Sequence, residues 1–340
     1  MSTKACTTAV CALVAFIGVP SVSAQSLETL GSRASAMAAF VAVADDASAV
    51  AWNPAGLVGG PLFNLQIDLG RSTDQPDDPP RIGESAARLG SMLVAIGTTP
   101  LGLAYYRMSA TSVSADPAVV GTPNREIEQV QVRTLVTSHL GATLQQSVGE
   151  YLTLGATIKL VRGSVGATAA SVTSWNGAFD RADAVETTGS TRGDVDAGAM
   201  FALGRMRAGL VVRNLTAPSF GDEDRPDERM TLERHARIGV AWGDRWPGIS
   251  ATVLSVDADL TRVSRAGGER RDVAAGVERW FAGRRVGVRG GVRASTIGDA
   301  RPVVSVGGSY AVRAGMFVDG YVARGEEDGR AWGIAARLTY

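Results

Sequence analysis

Three arginines spaced four apart, Arg285, Arg289 and Arg293, occur in the run Arg285-Val286-Gly287-Val288-Arg289-Gly290-Gly291-Val292-Arg293-Ala294. In a strand, side chains alternate between two faces, so these arginines share one face with Gly287 and Gly291, and Val286, Val288 and Val292 take the other. A row of guanidinium groups can grip a carboxylate or phosphate, or can pair with carboxylates on neighbouring strands. Such carboxylates occur at the same phase. Asp194 and Asp196 lie on one segment with Arg207 and Arg213 on its hairpin partner, followed by Arg237, Asp257, Asp259 and Glu278, while Arg133 and Lys159 add cations. The simplest reading is a salt-bridged wall. The sharper one is an anion filter, or a site for a carboxylate such as a fatty-acid head group, on the Arg285, Arg289 and Arg293 face.

Catalysis finds little support. The only histidines are His139 and His235, and neither lies in a nucleophile motif, so the chain is not expected to be an enzyme. Two histidines so far apart, without acidic residues at ligand spacing, specify no metal site, and no cofactor motif is present. Charge is balanced at 34 Lys+Arg against 34 Asp+Glu, which argues against nucleic-acid binding.

The elements that position these groups begin with an export signal. Lys4 precedes an apolar run from Ala9 to Val19, then Pro20 and a small-residue site at Val22-Ser23-Ala24. This predicts a signal peptide over residues 1–24. Both cysteines, Cys6 and Cys11, fall inside it, and Cys11 sits within the apolar run rather than at a lipidation site. The exported chain is therefore expected to hold neither disulfides nor a cysteine-based metal site. No later apolar stretch is long enough for a transmembrane helix.

Beyond residue 60 the sequence alternates with period two. Fourteen segments are expected at 61–71, 88–98, 100–110, 129–145, 151–166, 193–203, 206–216, 232–243, 248–263, 269–281, 285–297, 302–311, 315–324 and 329–340. Every even-numbered link is short, near Pro100, Gly149, Gly204, Asp244, Gly283 and Arg313, whereas the first four odd-numbered links run to about 15–26 residues. Those long links are polar and rich in Asp, Pro, Gly, Ser and Thr. Long loops at one end and tight turns at the other are the pattern of an outer-membrane β-barrel with periplasmic turns; a soluble sandwich has no reason to sort its loops by parity. Trp332, Ile334, Ala336, Leu338 and Tyr340 alternate on one face of the last segment, as in strands read by the outer-membrane assembly machinery.

Between signal and strands lies a small-residue segment holding Asp45, Asp46, Trp52 and the stretch Asn53-Pro54-Ala55-Gly56-Leu57. Asp45 or Asp46 can cap a helical turn over residues 47–50, Asn53 can cap the next with Pro54 at its first position, and Gly56 can take a positive φ. Alternatively Asp45, Asp46 and Asn53 hold the segment to a surrounding wall. The acidic pair followed by Asn-Pro-Ala-Gly-Leu resembles the N-terminal hatch of the FadL, PorV and TraF-like outer-membrane proteins. Where that group usually has Gly-Gly after the Met, this chain has Ala38-Ala39. Arg213-Asn214-Leu215 and Arg237-Ile238-Gly239-Val240-Ala241-Trp242 extend the resemblance.

The expected fold is therefore all-β, a fourteen-stranded antiparallel transmembrane β-barrel (residues 61–340) with residues 25–60 as a plug, or hatch, inside the lumen. The resemblance implies an outer-membrane location and one of two roles. The first, placed slightly ahead, is FadL-like uptake of a small hydrophobic molecule. The second is a PorV-like or TraF-like role as non-conducting partner of secretion or transfer machinery, which the polar loops favour. Expected partners are outer-membrane lipid and, during biogenesis, the assembly machinery. The alternation also predicts that Val288→Asp, on the lipid face, blocks assembly, while Arg289→Ala, on the lumen face, is tolerated. Membrane insertion and heat-modifiable electrophoretic mobility measure both, and equal behaviour of the two variants would contradict the phasing.

Overall fold

Alternation decides the course of each strand. In the first, Phe63–Asp74 (β1), Ile67 and Leu69 are exposed while Asn64, Gln66 and Asp68 are buried. The computed structural model describes residues 29–78, 80, 84–114, 130–221, 229–244, 251–265, 268–326 and 329–340. The signal-peptide expectation lies outside the described residues. The other wall strands are β2 (Ser85–Thr98), β3 (Leu101–Ser114), β4 (Val130–Val148), β5 (Leu152–Ala170), β6 (Thr188–Leu203) and β7 (Met206–Arg213). They continue with β8 (His235–Gly243), β9 (Ala251–Asp259), β10 (Asp272–Phe281), β11 (Val286–Ser295), β12 (Val303–Arg313), β13 (Met316–Gly325) and β14 (Arg330–Thr339).

Each strand pairs antiparallel with its sequence neighbours, and β1 closes the cylinder on β14 from Asn64↔Thr339 to Thr73↔Arg330. Closure leaves no open edge, which is what a β-structure needs to cross hydrocarbon. The fourteen expected segments each match one strand. The first long link is shorter than expected because β1 and β2 keep pairing as far as Asp74↔Ala87.

Apolar side chains face outward around the whole wall. Val288 is 52% exposed and its neighbour Arg289 only 2%, so the oily face points away from the interior. Leu103, Leu140, Ile158, Leu160, Val256 and Val306 continue this exposed belt. In water so large an apolar surface would drive association; in a bilayer it is the solvated face.

At the long-loop end the strands of β2–β5 run on past the belt. Helix α3 (Trp175–Asp183), with Ser174 accepting from the Gly177 N–H at 3.1 Å, packs Trp175, Ala178, Phe179 and Ala182 against Ala86, Val113, Val130 and Val132. A small ribbon, Ser219–Phe220 paired with Met230–Thr231, turns the other way into the lumen. Phe220 there packs with Leu135, Val161, Met230 and Leu232.

The lumen itself is filled by the hatch. It comprises α1 (Ser32–Met37), an irregular path to Ser48, α2 (Ala49–Trp52) and a 3-10 turn over Pro54–Gly59. Every residue from Thr29 to Leu57 except Asp45 is buried. Glycines of the wall make this fit possible. A Cβ at Gly276 would stand 2.1 Å from the Met37 carbonyl oxygen, and one at Gly155 2.4 Å from the Pro54 carbonyl carbon. By contrast a Cβ at Gly193 would meet nothing within 4 Å. Gly276→Ala should therefore displace the hatch around Met37 and expose Arg33 to trypsin in detergent, whereas Gly193→Ala should leave Arg33 protected. Full protection in both variants would mean that the wall yields instead of the hatch.

Candidate functional site

Irregular backbone inside a barrel cannot bond to water, so its amides and carbonyls must find the wall. The start of α1 does so through Asp68 of β1, whose carboxylate accepts from the N–H groups of Gly31 at 3.3 Å and Ser32 at 2.6 Å. An anion at a helix start also meets the favourable end of the peptide dipoles. Asp257 of β9 accepts from the Phe40 and Val41 amides at 2.6 and 3.0 Å. Hydroxyls serve the carbonyls: Ser91 donates to Thr29 at 2.7 Å, Ser305 to Ala36 at 2.9 Å and Ser255 to Ala39 at 2.8 Å. Gln145 accepts from the Val58 N–H at 2.8 Å.

The hatch also crosslinks itself. Asn53 caps the 3-10 turn as expected, accepting from the Ala55 N–H at 3.2 Å with Pro54 at the first position, and donates to the Val41 carbonyl at 3.0 Å. Trp52 donates from Nε1 to the Leu30 carbonyl at 2.8 Å and stands edge-on to Phe40 at 5.8 Å. Two expectations need correction. Gly56 is not among the positive-φ glycines; it is required because a Cβ there would lie 1.8 Å from the Ala44 carbonyl oxygen. Nor does either acidic residue cap a helix over residues 47–50: α2 starts at Ala49, and Asp46 instead accepts from the Ser48 N–H at 3.0 Å and from its hydroxyl.

Charge joins hatch to wall at Arg33. Its guanidinium forms a bidentate pair with Glu278 of β10, Nε to Oε2 and Nη2 to Oε1 both at 2.8 Å, while Nη1 reaches Asp45 and, at 3.3 Å, Asp46. Burial pulls this guanidinium down from its ordinary pKa, but the carboxylates of Asp45, Glu278 and Asp46 outweigh burial and hold it well above that value. From Glu278 the chain of opposite charges runs through Arg289 to Asp319 at 3.3 Å, and Arg337 closes it on Asp319 at 3.1 Å. Arg207 approaches Asp45 at 3.9 Å.

A second group centres on Lys159, whose ammonium lies 2.9 Å from Asp194 and 2.7 Å from Asp196. The expected pairing of these carboxylates with Arg207 and Arg213 across the β6–β7 hairpin is thus replaced by pairing with β5. Arg213 turns instead to His235 Nδ1 at 2.7 Å and lies 5.5 Å over the Trp52 ring. His235 bonds Asp259 at 2.9 Å, and Arg237 bridges Asp257 at 3.4 Å and Asp259 at 3.6 Å. His139 is stacked on Tyr106 at 4.2 Å with its Nε2 at 2.8 Å from Thr137 Oγ1.

Arg133 and Arg293 are half-buried on the wall, away from the Arg33 cluster, while Arg285 lies before β11 and is exposed at the short-turn mouth. The three arginines of the Arg285, Arg289 and Arg293 row therefore do not act together, and Arg289 is paired with two carboxylates, Glu278 through Nε and Asp319 through Nη1. This overturns the tolerance expected of Arg289→Ala, because that change leaves Glu278 and Asp319 short of a buried cation. The residues that sequence reading missed are Arg33, Asp68, Asp319 and Arg337. Arg33 had a signal, being the one basic residue between positions 25 and 60. Among the described residues no group of three His, Cys, Asp or Glu is placed to hold a metal ion.

A family model described as the TraF protein of the F plasmid transfer operon matches residues 90–259, half of the chain. The chain belongs to this TraF family. No protein of curated function matches it significantly. Solved structures similar to this TraF-family chain include the toluene transporter TbuX of Ralstonia pickettii, at 12% identity and a TM-score of 0.59 over 92% of this chain and 99% of that one. The toluene transporter TodX of P. putida has 12% identity and a TM-score of 0.59 over 93% and 99%. A FadL homologue of Pseudomonas aeruginosa has 13% identity and a TM-score of 0.57 over 94% and 99%. At such identities the likeness is one of fold: the fourteen-stranded FadL-type outer-membrane barrel.

Arg33→Ala leaves Glu278, Asp45 and Asp46 around an empty place and should cost about 3–5 kcal/mol, the usual penalty for breaking a buried pair. Arg33→Lys should recover only part, since an ammonium cannot make the bidentate contact. Thermal unfolding in detergent measures both, and an unchanged midpoint for Arg33→Ala would show that the ion pairs are dispensable.

Proposed function

We propose that this TraF-family chain is a plugged outer-membrane barrel, non-conducting at rest, that serves as a partner of envelope transfer or secretion machinery. The observation carrying this reading is the packing of the lumen: all residues from Thr29 to Leu57 except Asp45 are buried within a closed, fully paired wall and tied to it from many strands. The ribbon holding Phe220 and Met230 adds a second apolar closure toward the long-loop end. Many internal polar groups bond to hatch backbone or to each other, a pattern that serves holding rather than passage. Family membership points the same way, toward a transfer operon.

A second reading, uptake of a small hydrophobic molecule, is favoured by the fold shared with toluene transporters. It requires the hatch to move. The described loop segments offer an approaching ligand polar residues such as Gln75, Asp77 and Asp78. That supports the partner role over uptake.

In planar bilayers the intact protein should be silent, and deletion of residues 25–57 should open a steady conductance. Steady conductance of the intact protein would contradict the non-conducting reading; unchanged silence after deletion would contradict the plug. The two roles separate on detergent extraction of envelopes. A stoichiometric protein partner supports the first, and bound hydrocarbon or fatty acid the second.

A further inference from the structure

The barrel end with the short turns, periplasmic in an outer-membrane barrel, holds a cavity of about 610 Å³. Its charged lining comprises Arg33, Asp45, Arg284, Arg285, Arg313 and Arg337. Two of these arginines are committed, Arg33 to Glu278 and the acidic pair, and Arg337 to Asp319. Among the described residues Arg284, Arg285 and Arg313 form no ion pair. Five cations thus face one carboxylate.

The local backbone is built to hold one of them there. Ala282, Gly283 and Arg284 take φ values of 50°, 61° and 67° in succession, a left-handed run that two non-glycine residues adopt at a cost. The result places the Arg284 guanidinium 5.3 Å from the centre of the Trp280 ring. Trp280 is itself fixed edge-on against Phe317 at 5.7 Å, and Arg337 lies 5.0 Å over the Phe317 ring. Cations are therefore racked on a rigid aromatic floor, pre-organised before any ligand arrives. Burial lowers the Arg284 pKa from its ordinary value, with repulsion from Arg33 adding to it, so an arriving anion would relieve that penalty.

We propose that this mouth is a carboxylate-binding site in which Arg284, Arg285 and Arg313 receive an acidic segment of a periplasmic protein. The proposal rests on the partner reading above. Multiplicity favours a peptide: several unpaired guanidinium groups match several carboxylates, whereas a fatty acid offers one. Gly59, Gly60 and Asn64, from the hatch end and the lumen face of β1, line the cavity on one side and the outward Tyr310 and Val312 on the other, so a lipid headgroup is the competing occupant that the vesicle arm of the test addresses. The cavity also reaches Asp45, the single hatch residue between Thr29 and Leu57 that is not buried. A bound acidic segment would therefore sit against the Arg33–Asp45 contact and compete for its cation.

The test uses the full chain in detergent micelles and a fluorescein-labelled hexaglutamate peptide, followed by anisotropy. Binding should weaken with added salt, hexalysine should not bind, and the triple variant Arg284→Gln, Arg285→Gln, Arg313→Gln should weaken hexaglutamate binding by about tenfold or more. Arg181→Gln on α3, at the opposite end, should change nothing. Heat-modifiable mobility confirms that each variant is folded; if the triple variant is not, the Arg284→Gln and Arg313→Gln single variants carry the test, each weakening binding several-fold. Equal binding of both peptides, or undiminished binding by folded variants, overturns the proposal. So does binding of inorganic phosphate or phosphatidylglycerol vesicles without hexaglutamate. Photo-crosslinking from position 313 in intact envelopes separates this from the partner reading. Peptide binding without a crosslinked protein sinks the partner and leaves the site, while a crosslinked protein without peptide binding sinks the site alone.

Discussion

A non-repetitive backbone enclosed by a β-cylinder must have each of its polar groups answered from the wall, and most of the interior follows from that constraint. An unanswered buried donor or acceptor costs about 1–3 kcal/mol, and the hatch from Ala38 to Ser48 has no helix or ladder to absorb its own. Asp257 and Ser255 answer Ala39, Phe40 and Val41 within it, and Asp68, Ser91, Ser305 and Gln145 answer the hatch on either side of it. The polarity of the lumen, which on sequence alone resembles the lining of a channel, is thereby explained as the complement of a plug. Carboxylates buried for this purpose then need cations: Asp257 recruits Arg237, and Glu278 on the neighbouring strand β10 takes Arg33 and Arg289.

Close approach is the steric half of the same constraint. Where wall and hatch backbones touch, a side chain has no room, and glycine appears at positions such as Gly155, Gly276 and Gly291. Ala38 shows the converse. It adopts φ 58°, a conformation that an L-residue enters at a cost of roughly 1–2 kcal/mol, at the place where the resembling group carries glycine. Its neighbours enforce it, because the Ala38 N–H bonds the Ala34 carbonyl at 3.0 Å and the Ala39 amide folds back on Met37 at 2.6 Å. The strain is held by the surrounding contacts, and the alanine methyl packs against Ala274.

The wall was legible because it obeys period two. Val288 and Arg289 point opposite ways as the alternation requires, and all fourteen strands could be placed. The pairing of the charges was not legible, since a lumen-facing carboxylate has two neighbouring strands and a plug to choose from. Asp194 and Asp196 chose Lys159 on β5 over the arginines of β7 because Lys159 stands directly across from Asp194 in the ladder. Arg213, released, moved to His235, its register partner on β8. Arg289 was misjudged for the same reason: Glu278 is its direct partner on β10, and Asp319, two strands away on β13, engages its other side. Arg337 belongs to this class too, meaningful only once β13 and β14 are side by side. Asp68 differs, since its role depends on a helix start brought against it by the folding of the hatch.

The distribution of these ties limits how the plug can move. Its anchors lie on β1, β2, β4, β5, β6, β8, β9, β10 and β12, so a small displacement orphans several hydrogen bonds together and the barrier rises with each. Loosening must then begin where water or a ligand can replace a lost partner. Asp45 is the place that meets this condition: it is the partly exposed end of the Arg33 cluster and lies at the short-turn mouth. Arg33 would still hold Glu278 through two hydrogen bonds after Asp45 left it, so the helical end of the hatch stays seated while the acidic turn swings. A plug built this way responds first at its short-turn edge, and full withdrawal requires a substitute for Glu278 as well, a carboxylate that no solvent molecule supplies.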